Sequence, residues 1–192
     1  MLDIPVLSSN GIILKPLNLT YASDLVEACQ DGELWKIHVT SVPEPNQVID
    51  YINTADSMAD RQAFVVIDER TGKAIGSTSF HDILPLTKCL EIGYTWYAKS
   101  YWQTHVNTTC KLMLLTYIFE TLEYQTVGWR TDIDNHCSQK AIERLGAKKD
   151  GVIRGNRVRR DGVISSTVMY SLLKSEWPQV KIELTNKLNK IY

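Results

Sequence analysis

Residues 89–134 read as strand, polar loop, apolar helix and strand in succession. The pieces are "CLEIGYTWYA", then "KSYWQTHVNT", then a helix with Leu112, Leu115, Ile118, Phe119 and Leu122 at helical spacing, then "QTVGWRTDI". No other feature constrains the fold as much. Two strands of one sheet joined through a helix lie parallel with a right-handed crossover, so the unit needs a sheet to belong to. The flanking segments supply it. "GIILKPLN" reads as an earlier strand, and "QAFVVIDERTGKAIGSTSF" as two strands around the turn Arg70-Thr71-Gly72-Lys73. "GVIRGNRVRRDGVISSTVMYSLL" adds two more, joined at Asp161-Gly162.

Helices fill the intervals. "TYASDLVEACQD" is expected to be capped by Thr20, and "VIDYINTADSMADR" follows the proline-rich "TSVPEPNQ". "NHCSQKAIERLGA" starts at or near Asn135 and stops at Gly146, glycine being a favoured residue just past a helix end. "SEWPQVKIELTNKLNKI" closes the chain, with Ser175 as cap and Pro178 in the first turn. The order β-α-α-β-β-β-α-β-α-β-β predicts one α/β domain over residues 1–192, with a core at 10–174 and a C-terminal helix at 175–192. Its sheet should be mixed, mostly antiparallel and twisted, flanked by helices.

Composition narrows the function classes. With 192 residues, 44% hydrophobic and 22% charged, the chain suits a globular domain with a sizeable core. A net charge of −1 argues against a nucleic-acid partner. Cys29, Cys89, Cys110 and Cys137 form no CxxC pair, so neither a zinc site nor a disulfide framework is expected, and reduced thiols in a cytoplasmic protein are. No apolar run approaches the ~20 residues needed to span a bilayer, so no membrane partner is expected either.

The loop ahead of the crossover helix raises the chemical question. A helix N-terminus offers unpaired N–H groups and the positive end of the macrodipole, which suit an anion. Gln103, Thr104 and His105 stand there without the glycines such loops usually carry, and Asn107 and Thr108 suit a first turn. On this stretch alone, an anion site and a plain cap both stand.

Three stretches taken together, "IGYTWYAKSYWQTHVNT", "RTDIDNHCSQKAIERLGAK" and "GVIRGNRVRRDGVISSTVMYSLLKSEWP", resemble the GNAT superfamily of acetyltransferases, nearest to its RimJ/RimL-like branch. The resemblance covers roughly residues 90–178. Its most specific piece is N-x-x-S-x-x-A-I-x-x-L-G, here Asn135 to Gly146. It implies splayed central strands, acetyl-CoA as cosubstrate, no metal, and direct transfer of an acetyl group to a primary amine. The acceptor would be a protein N-terminus or a small-molecule amine, and a homodimer is left open.

The resemblance also assigns residues. Trp102, Gln103, Thr104, His105, Val106, Asn107 and Thr108 would grip the pyrophosphate. The family loop, Gln/Arg-x-x-Gly-x-Gly/Ala, puts Trp102, His105 and Asn107 at its marked positions, and all three depart from it. Against the branch's "YWGTGVNT" variant, Gln103 and His105 each replace glycine. A side chain at His105 is expected either to strain the turn or to add a donor. Backbone groups of Trp96 and Tyr97 would pair with the pantetheine arm. Asn135 would touch that arm, beside its simpler reading as a helix cap.

Glu91 is the candidate for taking the amine proton, through water; its alternative is a strand carboxylate paired with Arg130 or Lys88. Ser138 matches the serine proposed in RimL-like enzymes to serve the leaving thiol, as a hydrogen-bond relay. Its alternative is a first-turn serine. His81 and His38 are weaker candidates for a base. Cys110 and Cys137, near helix starts but without a histidine motif, read as bystanders. The basic run 148–160 reads as a solvated hairpin rim, or as a surface turning Lys148, Lys149 or Arg154 to the cofactor. Trp35, Tyr94, Trp96, Tyr97, Trp102 and Trp129 read mostly as core, with one or two walling an acceptor pocket. The competing reading is a catalytically inactive acyl-CoA-binding or interaction module, which rests on the altered loop.

Overall fold

The crossover forms, and among the described residues it holds the only parallel pair in the sheet. A computed structural model describes residues 5–190. Eight strands, β1 (Leu7–Ser9), β2 (Ile12–Pro16), β3 (Gln62–Asp68), β4 (Ala74–Leu84), β5 (Cys89–Tyr97), β6 (Thr126–Asp132), β7 (Lys148–Val158) and β8 (Ile164–Leu173), form one sheet in the order β1-β2-β3-β4-β5-β6-β8-β7. Every neighbouring pair is antiparallel except β5–β6.

Helices cover both faces. On one, α1 (Ala22–Gln30) and α2 (Val48–Ser57) bury Leu25, Cys29, Val48 and Ile52 against Val65, Ile67 and Trp96. On the other, α3 (Val106–Thr116), α4 (His136–Glu143) and α5 (Trp177–Asn189) bury Leu114, Leu115, Ile142 and Leu184 against Phe64, Phe80, Leu90 and Val127. A fully buried leucine contributes about 2 kcal/mol, so these stripes hold the three layers together.

Several expected ends shift. Thr20 is not the cap: Asn18 Oδ1 accepts from the Thr20 N–H and opens a short 3-10 turn, Leu19–Tyr21, ahead of α1. Ser175 is not a cap either. The helix starts at Trp177 after Glu176, whose carboxylate accepts from the Leu173 N–H, and Pro178 lies in its first turn as expected. Ile191 and Tyr192, the end of that expected helix, lie outside the described residues. β1 was not anticipated.

Two irregularities shape the centre. β5 and β6 pair only at Cys89↔Thr126, Leu90↔Val127 and Glu91↔Gly128. Beyond Glu91 the strands run on to Tyr97 and Asp132 with no pairing to each other, so a gap opens between them. The second is a bulge. Ser79 faces Gly93 but Ser77 faces Trp96, so β5 spends one residue more than β4, and Tyr94 takes a left-handed conformation, φ 51°. An extra residue reverses the alternation of faces. Leu90 and Ile92 reach the α3 side before the bulge, and Tyr97 does so after it, while Trp96 joins the α1–α2 core.

Candidate active site

The gap is bordered by β5, β6 and the helix that joins them. Unpaired strand edges present the N–H and C=O groups that an extended amide chain could bind as an added strand. The Ala98 N–H bonds to Ile75 O across to β4. By the alternation of an antiparallel ladder, Tyr97 therefore turns its backbone groups to the gap and Trp96 turns its own to β4. Of the two residues expected to meet the arm, only Tyr97 is directed to do so, and the Trp102 indole already donates to its carbonyl at 2.8 Å. Among the described residues, the two buried side-chain polar atoms without partners, Thr109 Oγ1 and Trp129 Nε1, lie on the helix and strand that border this gap. The backbone edges of β5 and β6 left unpaired beyond Glu91 fit a polar, extended ligand.

The loop into α3 is built without glycine by straining a different residue from the one expected. Gln103, φ 59°, takes the left-handed conformation. His105 sits in ordinary right-handed geometry, φ −68° and ψ −19°, as the residue before Val106, so it does not strain the turn. Thr104 Oγ1 donates to Tyr101 O at 2.7 Å and accepts from the Val106 N–H at 3.3 Å. The first helical bond runs from the Thr109 N–H to His105 O, which leaves the Asn107 and Thr108 N–H groups without helical acceptors. Asn107 Oδ1 accepts from the Tyr97 hydroxyl at 3.2 Å, tying the helix start to the strand. Trp102 is exposed with Lys99 Nζ 3.8 Å over its ring, so it is no core residue. Gln103→Gly should stabilise the chain by up to about 1 kcal/mol in chemical denaturation, since glycine adopts that conformation freely.

Beside the vertex of the gap, on the α1–α2 face, a polar array forms. Arg130 donates to Glu91 through Nε (2.7 Å) and Nη2 (2.6 Å), and to Asp82 through Nη2 (2.6 Å). Glu91 is therefore paired with Arg130, and its side chain is only 12% exposed. His81 is buried, with Nδ1 2.7 Å from Asp82 Oδ2 and Nε2 4.0 Å from Glu91 Oε2. Burial pushes the imidazole below its ordinary 6.5, against the pull of Asp82 and Glu91, which favours the neutral ring. Two glycines make room. A Cβ on Gly93 would stand 2.2 Å from His81 Nε2, and one on Gly128 2.9 Å from Glu91 Cγ. His81, Asp82 and Glu91 also lie close enough to share a cation, but Arg130 already supplies the positive charge to both carboxylates.

Asn135 begins α4 at the far side of the gap. Its Oδ1 accepts from the Ser138 N–H at 3.1 Å, and its Nδ2 donates to Val39 O at 3.2 Å in the segment between α1 and α2. Ser138 is half-buried in the first turn, and its hydroxyl makes no hydrogen bond among the described residues. His38 is exposed. Cys137 is exposed and Cys110 is buried, its thiol pushed up to about 12 by burial.

The basic hairpin is more than a solvated rim. Arg159 donates to both oxygens of the buried Asp132, at 2.9 and 2.6 Å, and Arg160 donates to the carbonyls of Trp35 (3.0 Å) and Val42. With the Asn135–Val39 bond, these contacts fasten the α1–α2 segment to the end of β6 and the β7–β8 turn. Lys148 pairs with Glu176 at 2.5 Å instead of turning to the gap, and Lys149 and Arg154 are exposed. Arg61 and Lys111, both buried beside the bulge, escaped the sequence reading because isolated cations in a strand or helix pattern signal exposure. Gly93 within a strand was the readable hint for His81, since glycine there marks close approach.

Comparison with known proteins agrees with this geometry. Residues 12–148 match the family model described as an acetyltransferase (GNAT) domain. YdaF of Bacillus subtilis (strain 168), whose name assigns it provisionally to the ribosomal N-acetyltransferases, is 34% identical over 106 residues, 55% of this chain and 57% of its own length. The chain thus aligns with little more than half of that relative. The uncharacterized N-acetyltransferase p20 of Bacillus licheniformis is 25% identical over 89% of this chain and 97% of its own. A solved chain from T. thermophilus, described provisionally as an acetyltransferase, superposes with a TM-score of 0.86 at 29% identity, covering 98% of this chain and 100% of its own. RimL, a ribosomal L7/L12 alpha-N-protein acetyltransferase solved in complex with coenzyme A, shares the fold, with a TM-score of 0.73 and 16% identity over 88% of this chain and 97% of its own.

Proposed function

As the chain belongs to the GNAT acetyltransferase family, we propose that it moves an acetyl group from acetyl-CoA directly to a primary amine in the gap between β5 and β6. The observation that carries this reading is the parting of those strands beyond Glu91, in front of a helix start with free N–H groups. Trp102 to Thr108 would hold the pyrophosphate chiefly through backbone donors, which do not depend on the missing glycines. Tyr97 and Asn135 would hold the arm.

The acceptor amine must arrive neutral. Glu91 and the neutral His81 would take its proton through water, the pair being oriented by Arg130 and Asp82. Attack forms the C–N bond, and collapse breaks the C–S bond. The open Ser138 hydroxyl would then donate to the departing sulfur as a relay. No side chain needs to carry the acetyl group. The α1–α2 segment pinned by Asn135 and Arg160 would wall the acceptor side, and Tyr94 would contribute its ring to the α1–α2 face of that wall. The relatives' names favour a protein N-terminus as acceptor over a small amine.

Release of free CoA thiol, followed across a panel of N-terminal peptides and small amines, tests the reading. Turnover with at least one amine is expected. Tight acetyl-CoA binding with no turnover on any amine would favour an inactive acyl-CoA-binding module. Ser138→Ala is expected to lower kcat about tenfold while leaving the Kd for acetyl-CoA unchanged. Equal losses in both would remove Ser138 from the reaction.

A further inference from the structure

The two buried cations among the described residues, Arg61 (6% exposed) and Lys111 (4%), meet the same point of the sheet from opposite faces. From α3, Lys111 Nζ donates to Thr95 Oγ1 (2.8 Å) and Thr78 Oγ1 (3.2 Å). From the α1–α2 face, Arg61 donates to Ser79 Oγ (3.1 Å) and Tyr51 Oη (3.1 Å), with its guanidinium 3.7 Å over the Tyr94 ring. Thr78 and Ser79 are consecutive on β4, and Tyr94 and Thr95 are the bulge of β5. Neither cation makes an ion pair among the described residues; Lys111 rests on hydroxyls, and Arg61 on hydroxyls and aromatic rings.

A cation buried without a carboxylate is costly, and neutral hydroxyls offset only part of that cost. Two at one place concentrate positive potential on a single stretch of strand, and that stretch borders the gap. Thr95, half-buried, lies in the part of β5 that has left β6. We propose that Lys111 and Arg61 are positioning residues for the transfer: they fix the bulge from both faces and hold a positive field on it where the reacting carbonyl oxygen becomes negative. The inference rests on the acetyl-transfer reading above. When the amine nitrogen bonds to the carbonyl carbon, the C=O π pair moves to oxygen. When the C–S bond breaks, that pair reforms the double bond and the sulfur leaves with the other. A fixed positive field favours both steps and needs no reorganisation as charge develops.

Burial pushes the Lys111 ammonium down to about 8. The other titratable or charged groups about it are Cys110 on α3, Tyr97 on β5 and, across the sheet, Arg61, Tyr51, Tyr94 and His81. Cys110 is pushed up to about 12 and Tyr97 well above its usual value, both by burial, while burial moves His81 below 6.5.

The test uses Lys111→Met, Lys111→Arg and Arg61→Met in the full chain, with three readouts. For wild type, kcat at saturating amine should fall as pH rises through about 8. Lys111→Met should lower kcat on the order of tenfold at neutral pH and abolish that alkaline limb, with the Kd for acetyl-CoA nearly unchanged. Lys111→Arg should keep the rate and lose the limb, because arginine stays charged. Arg61→Met should lower kcat similarly and keep the limb. In the ligand-free protein, Lys111→Met should melt higher than wild type at neutral pH, the difference closing as pH rises and wild-type Lys111 loses its charge in both states. A lower melting temperature, or a reduced kcat with the alkaline limb intact, would make Lys111 a structural tie and overturn the proposal. Wild type that neither binds acetyl-CoA nor turns over would overturn the acetyl-transfer reading as well, which separates the two failures.

Discussion

Asp132→Ala should cost about 2 kcal/mol in chemical denaturation, because it removes a fully buried carboxylate and leaves Arg159 only Asp134 and Ser165. Asp132 has no side-chain exposure, and Arg159 grips both its oxygens. Burial by itself would raise this carboxyl, but bonds from Arg159, from the Asp134 N–H and from Ser165 outweigh it and hold it down to about 2. The sign follows. The stabilisation, about 2 kcal/mol, is fully present above the ordinary 3.8 and is lost as pH falls from there towards 2. The same substitution loosens the β7–β8 turn, whose Arg160 holds Trp35 and Val42. KM for the acceptor should therefore rise while acetyl-CoA affinity is kept. A stability loss below about 1 kcal/mol would show that the ion pair is not what joins these segments.

Glu91→Gln should lower kcat by about two orders of magnitude, the scale of a lost proton acceptor. Two effects are separable by pH. The wild-type rate should fall at acid pH as His81 becomes charged, at a pH below the ordinary 6.5 because burial disfavours its cation. The Glu91 charge pulls the other way and holds His81 up. Its removal should move the acid limb to still lower pH. If kcat and the limb both stay in place, Glu91 is only the partner that anchors Arg130.

What could be read from residues differs between frame and site. Hairpin turns such as Arg70-Thr71-Gly72-Lys73 and Asp161-Gly162, the α3 stripe and the Asn135–Gly146 helix carry local signals, and the crossover follows from their order. The three-residue β1 is too short for alternation to show. The bulge is invisible because a tyrosine, not a glycine, takes the left-handed position. Its consequence is large, since it reverses the facing of Thr95, Trp96 and Tyr97 and so turned Trp96 away from the role expected for it. Asn135, Ser138 and Glu91 stood out by motif, but their partners Val39, Arg130 and His81 come from distant segments that only tertiary packing joins. The arginines at 159 and 160 looked like surface charge because Asp132 and the carbonyls they reach carry no local pattern.

The gap in front of α3 is most directly tested by calorimetry of acetyl-CoA against an acetyl-pantetheine analogue lacking the pyrophosphate. Acetyl-CoA should bind, and the truncated analogue should bind on the order of a hundredfold more weakly, the helix start and its loop having lost their anion. Equal affinity for the two, or no binding of acetyl-CoA even at millimolar concentration, would contradict that role for the gap.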